Sequence, residues 1–271
     1  MLTASEQAVL AEVRTWRSRQ PAWVDRQVSR INRPLKQLSG MMHKVPGFDW
    51  TLDNLITGVV RITNEIAQDT VSWKGVLERF RARGHDIASI ADVRSLKMEA
   101  IHEALEGIQM RYQSMTGAQG AAAGLAGLAG LLPDLLGLIG FSLRAAGETA
   151  TCCGFDLSRE HEREYALFTL CVAARTDDSR DAAGAIARHH TRQTAEQLAV
   201  KGSMYGLARA LGQRLIGLKA AQFLPVAGMV VGGGSNAWYT ARVCETARHL
   251  YRERLIYRCH PAAIIDACTD S

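Results

Sequence analysis

Charge is nearly absent from two long stretches of this chain. Tyr112 to Leu143 holds one acid, Asp134, and Ala220 to Ala241 holds no charge at all. Other absences narrow the function. The six cysteines lack metal or disulfide spacing. Only Cys152 and Cys153 lie close together, and adjacent cysteines rarely bridge, so the thiols read as small hydrophobic groups kept reduced. Met1 to Leu10 has no basic start and no apolar block, so no export leader is expected. Alternating β-branched runs are missing, which argues against a sheet. Gly140-Phe141-Ser142-Leu143-Arg144 lacks the closing glycine of a G-x-S-x-G elbow. The phosphate-cradling G-x-x-x-x-G-K-[S/T] loop is missing too.

What remains is helical periodicity. The 271 residues are 47% apolar, enough to bury a sizeable core. Helices are expected at Ser5–Ser18, Pro21–Leu38, Leu52–Gln68, Asp69–Arg83 and Ala91–Met115, with Gly84 as a C-terminal stop. Ser39 to Asp49 reads as a loop. Further helices are expected at Pro133–Thr149, from an N-cap at Ser158 to Ala174, at Ser179–Ala199 and Tyr205–Leu218, and at Asn236–Tyr257. The fold class is therefore all-α, a multi-helix bundle with a central Gly/Ala-rich helical hairpin core. Residues 1–84 form an N-terminal basic helical region and 85–271 the helical core, without a linker that would separate two independent units.

Glycine carries the strongest packing signal. Gly117, Gly120, Gly124 and Gly127 fall on one face at ~100° per residue. Each costs about 1 kcal/mol relative to alanine inside a helix. Close approach of a second backbone is the usual compensation, as in small-xxx-small packing. Gly228 and Gly232, in the second uncharged stretch, are the expected counterparts.

Neither stretch makes a good membrane span, which needs about 20 apolar residues. Pro133 and Asp134 divide the first, and Gln222, Pro225, Ser235 and Asn236 interrupt the second. A buried hairpin, or one that opens onto lipid, fits better. Asp134 and Asn236 stand out as ligand or structural polar positions. Asp134 reads either as a first-turn acid complementing a helix dipole or as a buried carboxylate with a partner. Asn236 reads either as a satisfier of buried backbone or as a pocket residue.

The net charge of +5 is unevenly placed. Arg14, Arg17, Arg26, Arg30 and Arg33 crowd one terminus, and Arg248 and Arg252 the other. Such patches attract phosphates on lipid or nucleic acid. Trp16, Trp23, Trp238 and Tyr251 suit a bilayer surface beside them. No motif for reading nucleic acid accompanies the charge, so nucleic acid is not expected as a partner. Gly232-Gly233-Gly234-Ser235-Asn236-Ala237 matches a dinucleotide-binding pattern, but close helix packing explains its glycines better. Glu99 and His102 share a helix face without the second copy that a di-metal bundle needs. Adjacent His189 and His190 point in different directions. No metal, cofactor or catalytic residue is expected.

Two blocks together resemble the bacterial EcsC protein family. The first runs from Gly117-Ala118-Gln119-Gly120 through Leu132-Pro133-Asp134 to Gly154-Phe155-Asp156. The second runs from Leu224-Pro225 through Ser235-Asn236-Ala237-Trp238 into the basic closing helix. Cys152-Cys153 stands where the family has tyrosine-type residues before the turn. The family takes its name from a protein encoded beside the subunits of an ABC transporter, and its molecular activity is not established. The resemblance implies a bacterial, membrane-linked helical protein. The reading drawn from these features is a non-enzymatic, membrane-peripheral protein that contacts lipid or serves an integral membrane transporter, cytoplasmic or peripheral on the inner face of the membrane. The alternative is an enzyme of unknown reaction with a pocket around Asp134 and Asn236.

Overall fold

A computed structural model describes residues 2–18, 48–69, 71–126, 130–174, 203–219 and 228–261. Among these residues the protein is all-α. Nine α-helices follow in order: α1 (Ala4–Ser18), α2 (Phe48–Asp69), α3 (Trp73–Arg81), α4 (Met98–Leu105), α5 (Ile108–Leu125), α6 (Leu131–Cys152), α7 (Glu160–Ala173), α8 (Ser203–Lys219) and α9 (Gly228–Cys259). A 3-10 turn, Ile90–Ser95, precedes α4. The expected helices Pro21–Leu38 and Ser179–Ala199 lie outside the described residues.

The core joins elements that are distant in sequence. Leu55, Ile56 and Val59 of α2, Leu135, Leu138 and Ile139 of α6, and Tyr239, Val243 and Tyr251 of α9 are all buried. α1 packs on α9, α2 on α6 and α8, and α5 along both α6 and α9. The expected division at residue 84 falls at a turn where Gly84 has φ +83.

Several boundaries move, each for a local reason. The expected helix Ala91–Met115 is three pieces. Leu96 and Lys97 are extended, and Gly107 takes φ 77, which breaks the backbone between α4 and α5. A positive φ is cheap only for glycine. Asp69–Arg83 also divides, because the Ser72 side chain caps α3 by accepting from the Gly75 N–H at 3.1 Å. Ser158 is not the N-cap of α7. Arg159 holds that position without a side-chain cap bond, while Ser158 donates its backbone N–H to Asp156 Oδ1 at 2.9 Å. Pro133 sits at the third position of α6, where its missing N–H is harmless, so that helix starts at Leu131. The second glycine block is the first part of α9, continuous with the basic helix over 32 residues. The dinucleotide-like pattern is therefore helical.

Candidate functional site

The uncharged parts of two helices meet where glycine removes their side chains. A Cβ added at Gly120 would lie 2.5 Å from the Gly232 carbonyl oxygen and would also strike the Asn236 amide. A Cβ at Gly233 would lie 3.0 Å from the Gly117 carbonyl oxygen. These positions place α5 and α9 backbone against backbone in antiparallel fashion. Gly124 is half-buried on α5 and Gly228 opens α9, whereas Gly127 lies outside the described residues.

The close approach lets polar groups span three helices. Asn236, fully buried on α9, donates from Nδ2 to Asp134 Oδ1 at 2.9 Å. Gln119, on α5, donates from Nε2 to the Asp134 carbonyl at 2.9 Å and to Oδ1 at 3.2 Å. Asp134, 2% exposed, stands in the first turn of α6. A Cβ at Gly137 would strike the Gln119 amide, so glycine there makes the room that Gln119 fills. The structure thus brings Asp134 and Asn236 together in a direct hydrogen bond. The sequence reading missed Gln119 and Gly137. Gln119 was visible only as the polar residue between Gly117 and Gly120. Chemically, the arrangement is a carboxylate held by two amide donors at the junction of three helices.

A second buried cluster surrounds Glu148 near the other end of α6. Arg79 of α3, Arg111 of α5 and the Tyr112 hydroxyl, at 3.0 Å, all donate to its carboxylate. Burial works to raise the Glu148 pKa, but the hydrogen bonds and charges of Arg111 and Arg79 outweigh it and hold the carboxyl below its ordinary value. A third cluster pairs Glu162 of α7 with Arg254 of α9, whose guanidinium lies 4.3 Å from the ring centroids of both Phe155 and Tyr165. Burial pushes the Cys152 thiol up to about 12, and Cys244 likewise, so these are packing groups, not nucleophiles.

Among the described basic terminal residues, Arg17 and Arg252 turn inward to acids rather than outward. Arg17 is paired with Glu253. Arg252 is buried and paired with Glu12 at 2.9 Å, with Arg248 also within 3.6 Å of that acid. The facing acids lie on the partner helix, so the positive charge is spent across the α1–α9 seam. Arg14 is exposed, while Arg26, Arg30 and Arg33 lie outside the described residues. Trp16 is buried and stacked on His249 at 4.8 Å, and Tyr251 is fully buried; neither reaches a bilayer surface. Trp238 is partly buried beneath Arg242, and Trp23 lies outside the described residues. Glu99 and His102 are both exposed on α4, and His189 and His190 lie outside the described residues.

Among the described residues the chain is thus an all-helical protein with a glycine seam between α5 and α9, bridged to α6 through Gln119, Asp134 and Asn236. The EcsC protein family model matches residues 7–256, and the chain belongs to that family. Protein EcsC of Bacillus subtilis (strain 168) is 24% identical over 187 residues, which cover 69% of this chain and 77% of that protein. The uncharacterized protein YdbA of the same organism is 24% identical over 257 residues, covering 91% of each chain. No solved structure matches the chain significantly.

Proposed function

We propose that the protein is a non-enzymatic, membrane-peripheral helical protein that meets the bilayer with the uncharged segments of α5, α6 and α9 at one end of its bundle. One observation carries this reading. The antiparallel seam and the α5–α6 connection gather the C-terminal half of α5 and the N-terminal parts of α6 and α9 at the same end. The only acid among them, Asp134, is buried and hydrogen-bonded. Leu125, 75% exposed, is the large apolar side chain these segments present. An exposed apolar side chain on uncharged helical segments suits the headgroup–acyl boundary. No described helix is long and apolar enough to cross a membrane, which fits a surface contact. Service to a membrane transporter would follow from the same contact.

Flotation with vesicles tests the reading. Wild type should float with phosphatidylglycerol vesicles. Leu125→Asp changes a side chain that faces outward, so it should keep the fold and weaken binding by about tenfold, from lost apolar burial and added repulsion. Failure of wild type to bind, or equal binding by the variant, would contradict it.

A further inference from the structure

The other end of the molecule presents a cleft of about 480 Å³, within the size range of small-ligand sites. The 3-10 turn, the start of α7 and the end of α9 enclose it. Arg94, Arg159 and Arg258 line it, one from each of these elements. Gly154, at φ +77, makes the tight turn that brings them together; a Cβ there would lie 3.3 Å from both Arg94 Cγ and the Ile90 carbonyl oxygen.

The charge of this cleft is unbalanced. None of the three arginines forms an ion pair among the described residues. Arg94 donates only to the Gly154 carbonyl, at 3.4 Å, and Arg258 lies 5.6 Å from the Phe155 ring. Two acids also line the cleft. Glu162 is already paired with Arg254, and Asp156 accepts from the Ser158 backbone N–H. Burial of Arg258, reinforced by repulsion from Arg94, Arg254 and Arg159, lowers its pKa against the pull of Glu162. Elsewhere the fold matches arginines with acids, as at Arg17, Arg79, Arg111, Arg252 and Arg254. At the rim stand Val71 and Trp73, the latter 45% exposed.

We infer that this cleft binds a water-soluble organic phosphate, its phosphate held by Arg94, Arg159 and Arg258 and its flat or apolar body laid against Trp73. Guanidinium forks match phosphate oxygens in geometry and charge. A lipid headgroup is the less suitable source of the phosphate. From Asp134 to Gly154 the chain rises about 30 Å along α6 at ~1.5 Å per residue. That distance carries the cleft away from the uncharged segments that would face lipid.

Calorimetric titration with inorganic phosphate and with adenosine monophosphate tests the inference. Wild type should take up one equivalent of the nucleotide, with affinity falling as sodium chloride is raised. Arg159→Gln and Arg94→Gln should each weaken it about tenfold, the worth of a charged hydrogen bond. Both side chains are exposed, so melting curves should stay near wild type. Trp73→Ala should weaken the nucleotide and leave inorganic phosphate unchanged. Absence of binding by both probes at millimolar concentration, or binding undiminished in both arginine variants, would overturn the inference. So would arginine variants that lose binding to phosphatidylglycerol vesicles together with the phosphate probes, which would make a lipid headgroup the occupant.

Discussion

Two glycines on the α5–α9 pair separate close packing from mere helix cost. Gly120 has no room for a methyl group, because the Gly232 carbonyl is backbone and cannot swing aside. Gly120→Ala should destabilise by about 1–2 kcal/mol in urea denaturation, overpacking outweighing the gain in helix propensity. Gly234 has nothing within 4 Å of its added Cβ. Gly234→Ala on the same helix pair should stabilise by up to about 1 kcal/mol. Asp134 offers a second contrast. Asp134→Leu removes the acceptor at 2.9 Å from Asn236 and one of the two that serve Gln119. It should cost about 2–3 kcal/mol, and Asp134→Asn, which keeps an acceptor oxygen, less than half of that. Asp134 and Asn236 were legible in the sequence because each is a polar side chain in uncharged surroundings. Gln119 was not, because an amide in a helix is ordinary until Gly137 is seen to make space for it.

Among the elements, the α1–α9 seam couples the first helix to the last through charge. His249 stacks on Trp16 and lies with Nδ1 2.7 Å from the Glu245 carbonyl, which places the ring proton there. Burial, helped by Arg252 and Arg248, lowers its pKa to about 4 against the opposing pull of Glu245 and Glu12. The folded chain thus prefers the neutral ring, and the unfolded chain binds more protons between the two pKa values. Stability contributed by this group is fully present above about pH 6.5 and falls as pH drops toward 4, by roughly 3 kcal/mol in total. Glu6, Glu12, Glu148 and Glu162 are held below their ordinary value of 4.5, so their stabilisation is lost only at lower pH. Melting curves between pH 7.5 and 5 should show a falling midpoint in wild type and a flatter dependence in His249→Phe. The sequence showed this seam as two arginine-rich stretches and suggested an outward surface. Periodicity ranks a helix's faces but does not say that an acid such as Glu12 or Glu253 stands opposite. The break at Gly107 escaped for a related reason: apolar spacing continues across it, while Glu106 turns extended and Gly107 takes a positive φ.

At the scale of the whole molecule, α6 and α9 run between two unlike ends. At one end the C-terminal half of α5 and the starts of α6 and α9 carry no charge except the buried Asp134, with Leu125 exposed; the other end carries the arginine-lined cleft. The all-helical class and the uncharged blocks were plain in the sequence. Their collection at a single end was not, because it depends on the antiparallel register of α5 against α9. Residues Arg94, Arg159 and Arg258 were equally hidden, since they lie on three separate elements and form no motif. An environment-sensitive fluorophore tests the orientation most directly. It is attached to a cysteine at position 125, or at exposed position 103, next to Ala104, whose carbonyl meets Cys152 at the far end of α6, with Cys259 and Cys268 replaced by serine. On addition of phosphatidylglycerol vesicles, the label at 125 should shift to the blue and the label at 103 should not. A shift at 103 alone, or at neither position, would contradict the account.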